Sequence, residues 1–139
     1  MTKFISIILA SLAFYVAPLH AQDAEKIAAA QAAAKSWLSL TDAGAYSQSW
    51  EQAAGLFRAA VSKPNWESAV TSARSPLGML KSRIIKSATF TRSLPGAPEG
   101  EYVVIQYESQ FENKPAAIET VTPLRESDGS WKVSGYFIK

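Results

Sequence analysis

The chain has 139 residues, of which 47% are apolar and 19% charged, and its formal net charge is +2. That is the size and composition of one globular domain, neither a disordered chain nor a strongly basic one suited to nucleic acid. It has no cysteine and a single histidine, His20, which excludes disulfides, thiolate metal sites, thiol catalysis and a lipidated N-terminal cysteine.

The N-terminus reads as an export signal. Lys3 is the only charge before Asp23, and an apolar run from Phe4 to Val16 lies between them. The run is shorter than the ~20 residues that span a bilayer and fits the ~7–15 residues of a signal core. Pro18 ends it, and Leu19-His20-Ala21 puts a small residue immediately before Gln22. Cleavage there assigns residues 1–21 to a signal peptide and 22–139 to a single α+β domain. Removing 21 of the 139 residues leaves 118, and the loss of Lys3 lowers the net charge from +2 to +1. No stable membrane anchor is then expected.

The first half of that domain has helical periodicity. Ile27, Ala30, Ala34, Trp37 and Leu38 repeat at intervals of three and four within an alanine-rich segment, 23–40. Gly44 suits the turn after it. Tyr46, Trp50, Ala53, Ala54, Phe57 and Val61 form one stripe, which predicts a second helix ended by Pro64. Trp66, Ala69, Val70 and Ala73 predict a third, stopped by Pro76 and Gly78.

The second half reads as strands. Residues 83–91 are rich in strand formers, and 94–100 form a loop by their Pro and Gly content. From Glu101 to Glu112, Val103, Ile105, Tyr107 and Phe111 alternate with Gln106, Glu108 and Gln110. A third strand covers 116–125. A fourth covers 131–138, with Trp131, Val133 and Phe137 on one face.

Four-residue loops at 112–115 and 126–129 align the apolar faces. They pair Phe111 with Ala116, Ser109 with Ile118, Tyr107 with Thr120, Val103 with Leu124, and Leu124 with Trp131. This pattern predicts about three helices packed on a curved four-stranded antiparallel meander. The same registers place Glu108 opposite Glu119 and Glu119 opposite Tyr136, in a row on the polar face. Such a row is expected to be solvated or met by Lys86 or Arg92. Desolvated, it would be an acid/base site.

Without His20 the domain lacks Ser-His and Cys-His pairs, and Ser-x-x-Lys, Gly-x-Ser-x-Gly and phosphate-binding glycine loops are missing. Its aspartates, Asp23, Asp42 and Asp128, are too scattered for a calcium loop. No metal site and no cofactor are therefore expected. Arg74, Lys81, Arg83, Lys86 and Arg92 precede an acid-rich segment, 99–128, and are expected to pair with it across the sheet. Tyr46, Trp50, Arg83 and Tyr107 are the residues best suited to line an aromatic cleft under the helices.

The strings Ser36-Trp37, Asp42-Ala43-Gly44-Ala45-Tyr46, Ser49-Trp50, Arg74-Ser75-Pro76-Leu77-Gly78, Leu94-Pro95-Gly96-Ala97-Pro98 and Asp128-Gly129-Ser130-Trp131 through Ile138 share one order and spacing. In these the chain resembles the family called domain of unknown function 4019, small exported proteins of Gram-negative bacteria. The resemblance implies a periplasmic location and an NTF2-like or cystatin-like roll, and it carries no catalytic or ligand residues. The reading that results is a non-catalytic periplasmic binding or interaction module, with a small apolar ligand or an envelope protein as partner and no nucleic acid. The alternatives are a proton-transfer enzyme of the ketosteroid-isomerase kind, using Glu108, Glu119 and Tyr136, and an envelope stress or inhibitor protein.

Overall fold

The computed structural model describes residues 18–139, so most of the expected signal peptide, including its apolar run, lies outside the described residues. The helices come first: α1 (Leu19–Asp42), α2 (Tyr46–Glu51), α3 (Gly55–Ala60) and α4 (Lys63–Arg74). A 3-10 turn at Ser75–Leu77 leads into β1 (Leu80–Thr91), β2 (Tyr102–Phe111), β3 (Lys114–Arg125) and β4 (Trp131–Ile138). The strands form one antiparallel meander in the order β1-β2-β3-β4. The α+β architecture read from periodicity is therefore the observed one.

Pro18 caps α1 in an extended conformation, and Ala30, Ala34, Trp37 and Leu38 form its buried stripe. Gly44, at φ +73°, makes the left-handed turn that ends it. The predicted second helix is two short ones. At the break, Ala54 N–H donates to the Val133 carbonyl and Gly55 N–H to Glu126 Oε1, so tertiary partners on and beside β4 outcompete helix continuation. Ser62 caps α4 by accepting from the Asn65 N–H, with Pro64 in the first turn.

The helices cover one face of the sheet. Trp37, Phe57, Trp66 and Val70 meet Val103, Ile105, Tyr107, Val121 and Val133 in one core. The opposite face carries exposed Glu108, Ile84 and Phe137.

The strand registers differ from the expected ones. Tyr107 pairs with Glu119 and Glu108 with Ile118, one residue from prediction: the tight β2–β3 hairpin, which pairs Phe111 with Lys114, slides β3 by two, and an extra β3 residue at Pro115–Ala116, opposite Gln110, takes one back. Glu119 accordingly falls on the core face and is fully buried, while Glu108 stays on the outer face. The predicted row of Glu108, Glu119 and Tyr136 does not form. In β4 the register shifts between Thr122 and Pro123, leaving Ser134 as an extra residue. Pro123 has no N–H to give the ladder, and a bulge is where a strand tolerates that. The bulge inverts the parity of the residues beyond it: Val133 is buried, Tyr136 turns toward the core, Trp131 is half-buried against it, and Phe137 is 60% exposed rather than core. In β1, Lys81 and Lys86 are the extra residues at two further shifts. They are exposed and make no ion pair with β2; bulged lysines blunt a sheet edge against pairing with another chain.

Candidate functional site

The four strands and two helix ends converge on one polar cluster inside the apolar core. β1 contributes Arg83, β2 Tyr107 and Ser109, β3 Glu119, and β4 Tyr136. α1 ends on Thr41 and Asp42, and α4 ends on Arg74.

Glu119 is the centre. Its Oε1 accepts from Arg83 Nε at 2.6 Å and from Ser109 Oγ at 2.5 Å. Its Oε2 accepts from Arg83 Nη2 at 3.1 Å and from the Tyr136 hydroxyl. A carboxylate offers about four acceptor positions, so these four bonds saturate it. Arg83 turns its other side to Asp42, donating from Nη1 to Oδ2 at 2.8 Å and from Nη2 to Oδ1 at 3.0 Å. Arg74 donates from Nη2 to Asp42 Oδ1 at 2.8 Å, and from Nη1 to Thr41 Oγ1 and the Tyr136 hydroxyl. Its guanidinium lies 4.9 Å from the Phe111 ring centroid. Two cations thus face two anions, Glu119 fully shut from water and Asp42 at the solvent edge of the cluster, and a buried carboxylate such as Glu119 persists because it is paired and hydrogen-bonded.

The titrations reflect these contacts. Burial works to raise the Asp42 carboxyl, but bonding and charge from Arg83 and Arg74 outweigh it and hold the group below its ordinary value. For Arg83, burial opposes the charge, yet Asp42 and Glu119 raise its pKa. Burial, and then the Glu119 charge, push the Tyr136 phenol well up. Tyr107 is pushed up to about 12 by burial and by Glu119, against the pull of Arg83.

Two clefts flank the cluster, both bordered by Asp42. One, of about 560 Å³, opens between α1 and the β1–β2 pair. Its α1 wall is Gln31, Lys35, Leu38 and Ser39, successive positions along one flank of the helix, and Arg83, Ile85 and Tyr107 line the sheet side. The Tyr107 hydroxyl is buried and has no protein partner. The second, of about 540 Å³, lies at the ends of α1 and α4 and is lined by Tyr46, Arg74, Met79 and Glu112.

The sequence-derived candidates are therefore split. Arg83 and Tyr107 share the first cleft and Tyr46 borders the second. Trp50 instead donates its indole N–H to the Val61 carbonyl and stacks near Lys63 and Arg58, which fastens α2 to the segment after α3. Glu119 and Tyr136 are bonded to each other, whereas Glu108 borders a shallow hollow on the outer face with Ile84 and Ile118. The expected pairing of cations with the acidic segment holds for Arg83, whose acid is on β3, beyond the adjacent strand, and for Arg92, 3.9 Å from Glu101, whereas Arg74 pairs with Asp42, outside that segment. Sequence reasoning does not find Asp42, Arg74, Ser109 and Lys35 as site residues. Asp42 and Arg74 both lie within the strings that carry the family resemblance, but nothing in their spacing links them. Among the described residues, no group of three or more His, Cys, Asp or Glu side chains gathers to hold a metal.

Comparison with curated proteins finds no match to this chain. A family model described as "Protein of unknown function (DUF4019)" matches residues 33–136, a stretch that runs from the middle of α1 to Tyr136 and so contains the whole polar cluster. The chain belongs to that family.

Proposed function

We propose that this protein is an exported, non-catalytic binding or interaction module of the periplasm, with its helices and sheet arranged as in NTF2-like or cystatin-like rolls. The observation that supports it is the cleft between α1 and β1–β2. It has about 560 Å³, apolar surface from Leu38, Ile85 and Tyr107, and polar side chains from Gln31, Lys35, Ser39, Asp42 and Arg83 around it. That is the size and make-up of a small-molecule site.

The proton-transfer alternative draws less support. A general base needs a lone pair aimed at the substrate, and those of Glu119 are taken by Arg83, Ser109 and Tyr136. Asp42 is bonded by both arginines. The cluster reads as the frame of the cleft, fixing the end of α1 relative to the sheet.

A fragment mixture titrated into ¹⁵N-labelled protein tests the reading. Shifts gathered on residues 31–42, 83–85 and 107 are expected. Shifts that avoid those residues would move the binding reading to another surface, and turnover of a fragment would restore the enzyme.

A further inference from the structure

The α1–β1 cleft has an asymmetry of charge and of hydrogen-bonding capacity. Asp42 is its one acid, and Lys35 and Arg83 are its cations. Counting the groups directly bonded behind it, Arg74 and Glu119, three cations face two anions. Lys35 is exposed and, among the described residues, makes no ion pair.

Two donors are also left over. An arginine has five N–H groups. Arg83 uses four, from Nε, from Nη1 once and from Nη2 twice, so one N–H of Nη1 is unassigned. The second is the Tyr107 hydroxyl, on a residue 5% exposed and lying against the Arg83 guanidinium, 5.9 Å from ring centroid to Cζ. A buried hydroxyl without a partner is uncommon in a folded protein. With its pKa pushed up to about 12, it remains a protonated donor at neutral pH. Leu38, Ile85 and the Tyr107 ring supply the apolar surface beside these donors.

We infer that this cleft takes a small amphipathic carboxylate. The apolar body lies against Leu38 and Ile85, and the anionic head is received by the free Arg83 N–H and by Lys35 at the border; the Tyr107 hydroxyl, shut off from solvent in the empty cleft, joins them as a donor when the ligand displaces the side chains that cover it. A neutral ligand would leave the charge excess unused, and a cation would be repelled by it. The inference rests on the reading of the cleft as a binding place and goes further by naming the ligand's chemical class.

Four probes test it: octanoate, N-acetyl-leucine, octanol and octylammonium, each titrated into ¹⁵N-labelled protein below its aggregation concentration. Either carboxylate is expected to shift residues 35–42, 83–85 and 107 at lower concentration than octanol, with octylammonium weakest. Octanoate against N-acetyl-leucine separates an alkyl from a peptidic source. Lys35→Gln should weaken the carboxylate about fivefold and leave octanol unchanged. Tyr107→Phe should weaken it about tenfold. The same variant should melt no lower than the parent, because the hydroxyl it loses has no protein partner; a purely structural Tyr107 would show the reverse, unchanged affinity and lowered stability. Octanol binding the cleft as tightly as octanoate would overturn the carboxylate while leaving the binding module intact. No shift in the cleft with any probe or with the fragment mixture would overturn both.

Discussion

Glu119 is fully buried, so its charge depends on the donors around it. Removing one partner of a buried ion pair leaves the other uncompensated. Arg83→Ala strips Glu119 of two bonds and Asp42 of two more, and is expected to cost about 3–5 kcal/mol in urea unfolding. A loss below about 1 kcal/mol would mean that water reaches Glu119 and that the cluster is not closed. The tyrosines add an alkaline signature. Tyr107 and Tyr136 both titrate above the ordinary value of 10.0 when folded. Between that value and their folded values the unfolded chain has released their protons and the folded chain has not. Holding the two phenols protonated therefore costs nothing below about pH 10 and lowers the stability of the fold above it, by about 1.4 kcal/mol per pH unit for each tyrosine. Asp42 acts in the opposite window. Its folded pKa lies below the ordinary value of 3.8, so its contribution is present above that pH and is lost as the pH falls through the folded value. Thermal melts across pH 3–11 should show both limbs, with Tyr136→Phe flattening the alkaline one; an unchanged alkaline slope in that variant would place the Tyr136 hydroxyl in water.

At the scale of elements, the helices and strands are legible in the sequence because Trp37, Trp66, Val103 and Ile105 recur at the periods of the structures they occupy. Register is not legible, for a physical reason. Parity reasoning assumes an unbroken ladder, and this sheet inserts extra residues at Lys81, Lys86 and Ser134 and, in β3, at Pro115–Ala116. A buried acid defeats the same reasoning: Glu119 reads as a polar-face residue because its compensating arginine is 36 positions away in sequence. The β4 bulge makes a measurable claim. Val133, before it, is buried, and Phe137, after it, is 60% exposed. Val133→Ala should cost about 2 kcal/mol and Phe137→Ala less than about 1, although phenylalanine is the larger side chain. The reverse order would restore the unbulged register, with Phe137 in the core.

For the whole molecule, the cluster ties the end of α1 and the end of α4 to all four strands, while the start of α1 is held by a different contact, Lys26 to Glu101 at 2.7 Å. Leu19, His20 and Ala21, ahead of that contact, are exposed and form the first turn of α1, which carries no acidic side chain. This bears on the proposed cleavage before Gln22. A chain that begins there loses three exposed residues and the Pro18 cap, but brings Asp23 and Glu25 into the first turn. Carboxylates at a helix N-terminus interact favourably with its dipole, by roughly 0.3–1 kcal/mol each. The new α-amino charge works against the dipole, so the two effects offset. The chain starting at Gln22 is accordingly expected to melt within a few degrees of one starting at Leu19, and intact mass measurement of periplasmic extract should find the Gln22 start. A full-length chain retained in the inner-membrane fraction would refute processing. A Gln22 chain that fails to fold would show that the first turn of α1 belongs to the domain.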